Sequence, residues 1–458
     1  MVIALHKSDR KINLKLKILK SKIIVLTLLL GVNLTLSAQS FDKQKMDSLF
    51  SIIERNDRGM GSVSIFHNGK EIYQKSYGYA DLEKKIKNDA STKFRIGSIS
   101  KTFTATIIMK LVESKKLSLS TTLSDFYPQI KNADKITIAH LLQHRSGIAN
   151  FTSVADYMQW YTEKQTKEKI LDRIASGGVS FEPNEKFEYS NSNYALLTFI
   201  AEDVAKKKFS EFLQEIIIKP CHLKNTFVGS QINTDNNEAL SYTKLSEWKQ
   251  EKETDMSIPL GAGFIVSTPF DLNTFLNCLF EGKLVKEESL KQMTTVIDKF
   301  GLGLIQVPFY DMKGYGHTGG IDGFQANAFY FPEEKVSIAL TANGVVYPLN
   351  DIILGALSIY FGKEYQLPQF KETITLTAEE LETYLGVYST SAFPLKLTIS
   401  RNGNTLVAQG TGQPSFPLEC VEKNKFKFDQ ARLELEFIPT ENKMILKQNG
   451  MTFEMKRE

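Results

Sequence analysis

Apolar residues change their spacing several times along this chain, and each change predicts a different element. Val63-Ser64-Ile65-Phe66 and Glu71-Ile72-Tyr73 flank His67-Asn68-Gly69-Lys70, and Asn-Gly between two such runs predicts a β-hairpin. From Ser98 to about Lys115, Phe103, Ile107, Leu111 and Val112 recur at helical spacing and leave Lys110 and Glu113 for the other side. The stretch from about Ile136 to Gly229 reads as largely helical, with Tyr194–Val204 its clearest amphipathic segment. Strand patterning returns between Gly314 and Asn343. There Ala326–Phe331 and Val336–Thr341 flank a turn at Pro332-Glu333-Glu334-Lys335. Strands at both ends with helices inserted between them predict an α/β (α+β) fold. Its antiparallel sheet is assembled from chain-distant pieces and flanked by helices, with a helical lobe beside it.

Around Tyr365 to Thr377 both patterns lapse, and Pro368 falls inside the gap. Beyond it come short strands at close intervals: Leu395–Ile399, Thr405–Ala408, Lys425–Phe428, Leu433–Phe437 and Met444–Gln448. That spacing predicts a small all-β barrel. A chain of 458 residues exceeds one ordinary domain. The expected organisation is a segment 1–38, a first domain 39–365, a linker 366–377 and the β-domain 378–458.

The first segment reads as a signal peptide. Seven basic residues (Lys7, Arg10, Lys11, Lys15, Lys17, Lys20 and Lys22) precede the apolar run Ile23–Leu36, and Ser37-Ala38-Gln39 supplies small residues for cleavage. The run suits a signal peptide and is short for a membrane span of ~20 residues. An uncleaved anchor is the alternative, and only in that case would the protein touch a membrane. Either way the remainder is expected to be exported, periplasmic or secreted. Those cations, opposed only by Asp9, outweigh the whole chain's +4, so the rest is slightly acidic and gives no electrostatic reason to expect nucleic-acid binding. Cys221, Cys278 and Cys420 are too few and too scattered for a cystine framework or a zinc site.

Three short motifs carry chemistry. In Gly97-Ser98-Ile99-Ser100-Lys101, a helix starting at Ser98 places Lys101 one turn on, on the same face. A nearby amine of lowered pKa can take a serine proton. The helix start also offers unpaired N–H groups to developing negative charge. Alone, the motif is more simply a helix cap beside a solvated lysine. In Tyr189-Ser190-Asn191, a phenol can relay protons and an amide can hold a carbonyl. In His317-Thr318-Gly319-Gly320, a glycine pair on a strand admits close backbone approach and offers N–H groups to an oxyanion.

The order of these motifs resembles the signature of the serine β-lactamase, penicillin-binding DD-peptidase and esterase superfamily, nearest its class C and DD-carboxypeptidase branch. Leu141-Leu142-Gln143-His144-Arg145-Ser146-Gly147-Ile148 and Gly261-Ala262-Gly263-Phe264-Ile265-Val266-Ser267-Thr268-Pro269 are similar to two further family segments. The resemblance runs from about Phe41 to Gly362 and implies a β-lactamase/transpeptidase-like fold. It also implies a mechanism. Ser98 would attack a carbonyl, Lys101 and Tyr189 would handle its proton, and the N–H groups of Ser98 and Gly320 would bind the oxyanion. Asn191 would steady the acyl portion, with His317, Thr318 and Gly319 lining the substrate strand. No metal or organic cofactor is implied. The β-domain, opening on Tyr384-Leu385-Gly386-Val387-Tyr388, more loosely resembles the lipocalin-like barrel often appended to such hydrolases.

Some patterns point elsewhere and fail in context. Gly314-x-Gly-x-x-Gly319 has dinucleotide-fingerprint spacing but leads into a strand rather than a helix. His140 and His144 are four apart, yet leucine stands where a zinc protease needs glutamate. His317 is the departure that matters, because typical β-lactamases of this family carry lysine there. Its charge is conditional near an unperturbed pKa of about 6.5, so efficient antibiotic hydrolysis is not expected. The expected substrate is a small-molecule or peptidoglycan-derived ester or amide, and DD-peptidase, D-aminopeptidase-like, carboxylesterase and weak β-lactamase activities all fit the resemblance. The rivals are a catalytically inactive penicillin-fold binding or regulatory protein and a membrane-anchored scaffold.

Overall fold

Residues 41–458, except Ser246, are described by the computed structural model; the expected signal peptide lies outside them. The described chain begins with helix α1 (Lys43–Arg55), whose Met46, Leu49, Phe50 and Ile53 form one buried stripe at the spacing of an amphipathic helix. Strands β1 (Gly59–His67) and β2 (Lys70–Tyr77) follow as the predicted hairpin. Its turn residues Asn68 and Gly69 both have positive φ, +51° and +71°, the combination a tight type I′ connection requires.

Helix α2 (Ser100–Glu113) and helix α3 (Asn191–Ala205) come next. They are followed by the short strands β3 (Tyr242–Lys244) and β4 (Trp248–Gln250), then helix α4 (Pro269–Phe280). Strands β5 (Ile305–Phe309), β6 (Met312–Ile321), β7 (Phe324–Phe331) and β8 (Val336–Val345) return to the first hairpin. Among the described residues the order is β5-β6-β7-β8-β1-β2, with β3 and β4 joining off β8. The main path is antiparallel throughout. The sheet therefore depends on β8 meeting β1 across more than half the chain, as the inserted-helix pattern predicts.

α1 and helix α5 (Leu349–Tyr360) enclose one core against the sheet. α2, α3 and α4 enclose a larger one that includes residues of the opposite face. Central strand β8 is buried along its whole length, so it reads as a nearly continuous small and apolar run. The predicted helix from Ser98 starts two residues later: Gly97–Ile99 is a 3-10 turn and the α-helix begins at Ser100.

Residues Gly362–Thr377 form neither helix nor strand. Eight strands then close a barrel: β9 (Gly386–Ser389), β10 (Leu397–Asn402), β11 (Thr405–Gly410), β12 (Ser415–Glu422), β13 (Lys425–Phe428), β14 (Leu433–Ile438), β15 (Lys443–Gln448) and β16 (Met451–Arg457). Five of these were legible as alternating runs. The others were not: Pro417 interrupts β12, β9 is only four residues long, and β16, although Met451, Phe453 and Met455 alternate with polar residues, ends in Lys456-Arg457. The interior is filled by alternating side chains such as Leu406, Ala408, Phe426, Leu435 and Met444. Arg58 joins barrel to sheet domain: its guanidinium pairs with Glu419, lies 3.8 Å from Asp429, and stacks 4.9 Å over the Phe370 ring.

Candidate active site

Strand β6 passes close over the Gly97–Ile99 turn. Gly97 has φ +50°, and a Cβ built there would lie 2.6 Å from Gly320 N. A Cβ on Gly319 would lie 2.0 Å from Ile96 O and 3.0 Å from Ser98 N. Glycine at both positions therefore lets the strand lie against the serine turn, with Gly320 backbone beside the turn that carries Ser98.

Lys101 projects from the first turn of α2 and is fully buried. Its Nζ lies 3.0 Å from Ser98 Oγ, 2.8 Å from Asn191 Oδ1 and 2.8 Å from the Ala262 carbonyl. The Ala262 acceptor comes from a loop pinned by both helices: Thr104 Oγ1 donates to Gly261 O at 2.9 Å, and Gly261 N donates to Thr198 Oγ1 at 2.9 Å. Burial holds the Lys101 ammonium well below its ordinary pKa, because a charge far from water is disfavoured. A neutral amine has two donors and one lone pair. With Asn191 Oδ1 and Ala262 O taking the donors, the lone pair is left for Ser98.

Tyr189 Oη donates to Ser98 Oγ at 2.8 Å. Burial pushes this phenol upward, with the Ser98 hydrogen bond opposing, so it carries its proton at neutral pH. Its ring lies 4.8 Å beneath Lys101 Nζ. Asn191, the first residue of α3, donates from Nδ2 to Thr152 Oγ1 at 2.9 Å and from its backbone N to Asn150 Oδ1 at 3.0 Å. The loop around Asn150 thereby orients the amide that faces Lys101, a role the sequence did not announce.

His317 lies inward on β6 and is buried, whereas Thr318 points outward and is exposed. The strand's alternation separates these two neighbours. His317 Nδ1 donates to the Thr318 carbonyl, so Nε2 is unprotonated, and it is buried without a partner. Burial and nearby Lys101 pull its pKa down to about 3, against the Thr318 hydrogen bond. It is thus a neutral ring, 6.4 Å from that of Tyr189.

His144, which no zinc-ligand spacing supports, stacks its ring on Tyr189 at 4.3 Å and 29°. It follows helix Ile138–Leu142 with φ +55°, so it does not share a helix face with His140. Its Nδ1 accepts the Ser190 N–H at 3.1 Å, and burial lowers its pKa well below the usual histidine value. The segment Leu141–Ile148 marks this region in the sequence, but the contact of His144 with Tyr189 is purely tertiary.

Ser98, Asn191 and Gly320 open onto a cleft of about 430 Å³ walled by Tyr157, Tyr161, Glu251 and Asp322. A larger cleft of about 970 Å³ shares Glu251, Lys252 and Thr254 with it but does not reach Ser98.

A serine between a buried amine and a buried phenol, under an antiparallel strand and beside a helical lobe, defines the serine β-lactamase and penicillin-binding-protein superfamily. The chain belongs to this family: the beta-lactamase family model matches residues 45–354. It is 27% identical over 296 residues to protein flp of Staphylococcus aureus (strain MRSA252), a match covering 62% of this chain. The chain spans 59% of that relative's length. The octameric penicillin-binding protein homologue from Pyrococcus abyssi has a TM-score of 0.62 at 25% identity, covering 91% of this chain and all of that one. The fold is also that of the D-amino acid amidase from Ochrobactrum anthropi SV3 complexed with D-phenylalanine. That likeness has a TM-score of 0.63 at 24% identity and covers 70% of this chain and 99% of that one.

Proposed function

We propose that this protein hydrolyses an ester or amide through an acyl-enzyme on Ser98, in the manner of a DD-peptidase, a D-aminoacyl amidase or an esterase. The observation that carries the reading is the position of Ser98 Oγ, 3.0 Å from Lys101 Nζ and 2.8 Å from Tyr189 Oη. Ser98 Oγ attacks the carbonyl carbon as its proton passes to the neutral Lys101 amine. The carbonyl oxygen becomes an oxyanion facing the N–H groups of Ser98 and Gly320. As the bond to the leaving group breaks, that group takes the Tyr189 proton, and the Lys101 ammonium restores it. Water then attacks the ester on Ser98 by the reverse relay and releases the acid.

His317 decides the substrate class within this reading. A buried neutral ring supplies no fixed cation at the strand position where typical β-lactamases carry lysine, which counts against efficient β-lactam hydrolysis. We also propose that residues 1–38 direct export, tested by N-terminal sequencing of the exported protein.

The deciding experiment is intact-mass analysis of residues 39–458 after incubation with a penicillin and, separately, an activated ester, with Ser98→Ala as control. A wild-type adduct absent from the variant supports the reading. If neither probe labels Ser98, the acyl-enzyme reading fails and a non-catalytic binding protein takes its place.

A further inference from the structure

We propose that Arg95 and Asp322 are a positioning pair that sets the spacing of the Ser98 and Gly320 backbone donors, and thereby the fit of the oxyanion; this rests on the acyl-enzyme reading. Arg95 lies three residues before Ser98 and Asp322 two after Gly320, so the two ends of the pair belong to the two segments that carry the donors. Arg95 Nη1 donates to Asp322 Oδ2 at 3.0 Å and to the Thr254 carbonyl at 3.1 Å. Its Nη2 donates to Glu253 Oε2 at 2.7 Å and to the Ser230 carbonyl at 3.0 Å. Asp322 Oδ1 accepts from Thr254 Oγ1 at 2.6 Å and from Thr254 N at 3.1 Å.

Both charged side chains are 2% exposed. Removing two charges from water offsets most of their attraction, so a buried pair is a poor device for stability alone. What it supplies is direction. The ladders with β5 and β7 fix β6 within the sheet, and the planar Arg95 fork, through Asp322 and three further acceptors, fixes the segment leading to Ser98 against the end of that strand. Asp322 takes φ +53° in the turn after β6, a conformation aspartate adopts more readily than most residues. The fork thus anchors the strand immediately after the Gly319-Gly320 crossing described above.

The test compares acylation of the full chain by a p-nitrophenyl ester and by its thiono analogue. Sulfur is larger than oxygen and a poorer hydrogen-bond acceptor, so a tightly set pair of donors discriminates strongly for the oxygen ester. Asp322→Asn is expected to slow ester acylation by about tenfold to a hundredfold. The thiono ester should slow less, so the ester-to-thiono rate ratio falls. A variant that merely unfolds in part would lose both rates in proportion. Arg95→Lys, which keeps the charge and loses the fork, serves if Asp322→Asn does not fold, and its ratio should fall too. An unchanged ratio in a folded variant overturns the pair alone. Absence of any wild-type acylation, judged against Ser98→Ala, overturns the pair together with the reading beneath it.

Discussion

Lys101 Nζ lies 3.0 Å from Ser98 Oγ, and its two other polar contacts, Asn191 Oδ1 and Ala262 O, are both acceptors. That arrangement makes the serine proton the one an uncharged lysine is free to receive. Lys101→Arg places a guanidinium that does not deprotonate in the same slot. Acylation should fall by about a thousandfold, within the ~10²–10⁴ range for general base removal, while thermal unfolding remains cooperative. Burst kinetics with an activated ester measure it, and a wild-type burst in this variant would remove Lys101 as the base.

Tyr189, kept protonated by burial, acts on the leaving group in the proposed relay. Tyr189→Phe should therefore slow amide hydrolysis by about a hundredfold or more. It should slow a p-nitrophenyl ester far less, since that leaving group departs without a proton. Equal losses on the two substrates would place Tyr189 at the attack step instead.

The pH dependence of acylation follows from which group must be neutral. Lys101 is lowered well below its ordinary value by burial, so its free-base form persists above that lowered pKa and the rate falls as pH drops through it. His317, at about 3, stays neutral across the working range. His317→Asn should therefore leave the acid limb where it is. A limb that disappears in this variant would show that histidine charging controls the rate.

Two buried neutral histidines also predict a stability profile. His144 and His317 are both depressed in the fold, His317 to about 3, against about 6.5 unfolded. Below about 6.5 the unfolded chain binds more protons at these two rings, so their share of the stability is fully present above that pH and is lost as pH falls toward about 3. Between about pH 5 and 6.5 ordinary carboxylates remain ionised. The slope there combines the lowered bases His140, His144, His317 and Lys101 with the raised carboxyls Asp271 and Asp322. The difference between wild type and His317→Asn isolates that ring's share. Thermal midpoints across that window should drop with acid, and His317→Asn should flatten the drop. An identical slope in the variant would contradict the neutral assignment.

Arg58 connects sheet domain and barrel through Glu419, with its side chain 7% exposed and that of Glu419 28% exposed. Arg58→Ala should destabilise by about 2–3 kcal/mol, less than the ~3–5 kcal/mol of a fully buried pair because Glu419 retains contact with water. Denaturant titration should show the loss, and Ser98 acylation at low temperature should persist. A loss of acylation with unchanged stability would instead tie the barrel to the site.

The chain's own sequence determined the order of elements and most of the chemistry. The Asn68-Gly69 hairpin, the helix after Ser98, the β7–β8 hairpin and much of the barrel were legible because each is a local pattern of apolar spacing bounded by a turn. The three candidate site motifs were legible because Ser98 and Lys101 lie within one helical turn, and because glycines recur where strand meets turn. Tertiary structure alone decided the rest. Ala262 reaches Lys101, His144 stacks on Tyr189, and Arg95 meets Asp322 across 227 positions, none of which leaves a spacing to read. It also decided the state of His317. Charge depends on burial and neighbours rather than on residue type, and only the packed fold puts that ring out of reach of water.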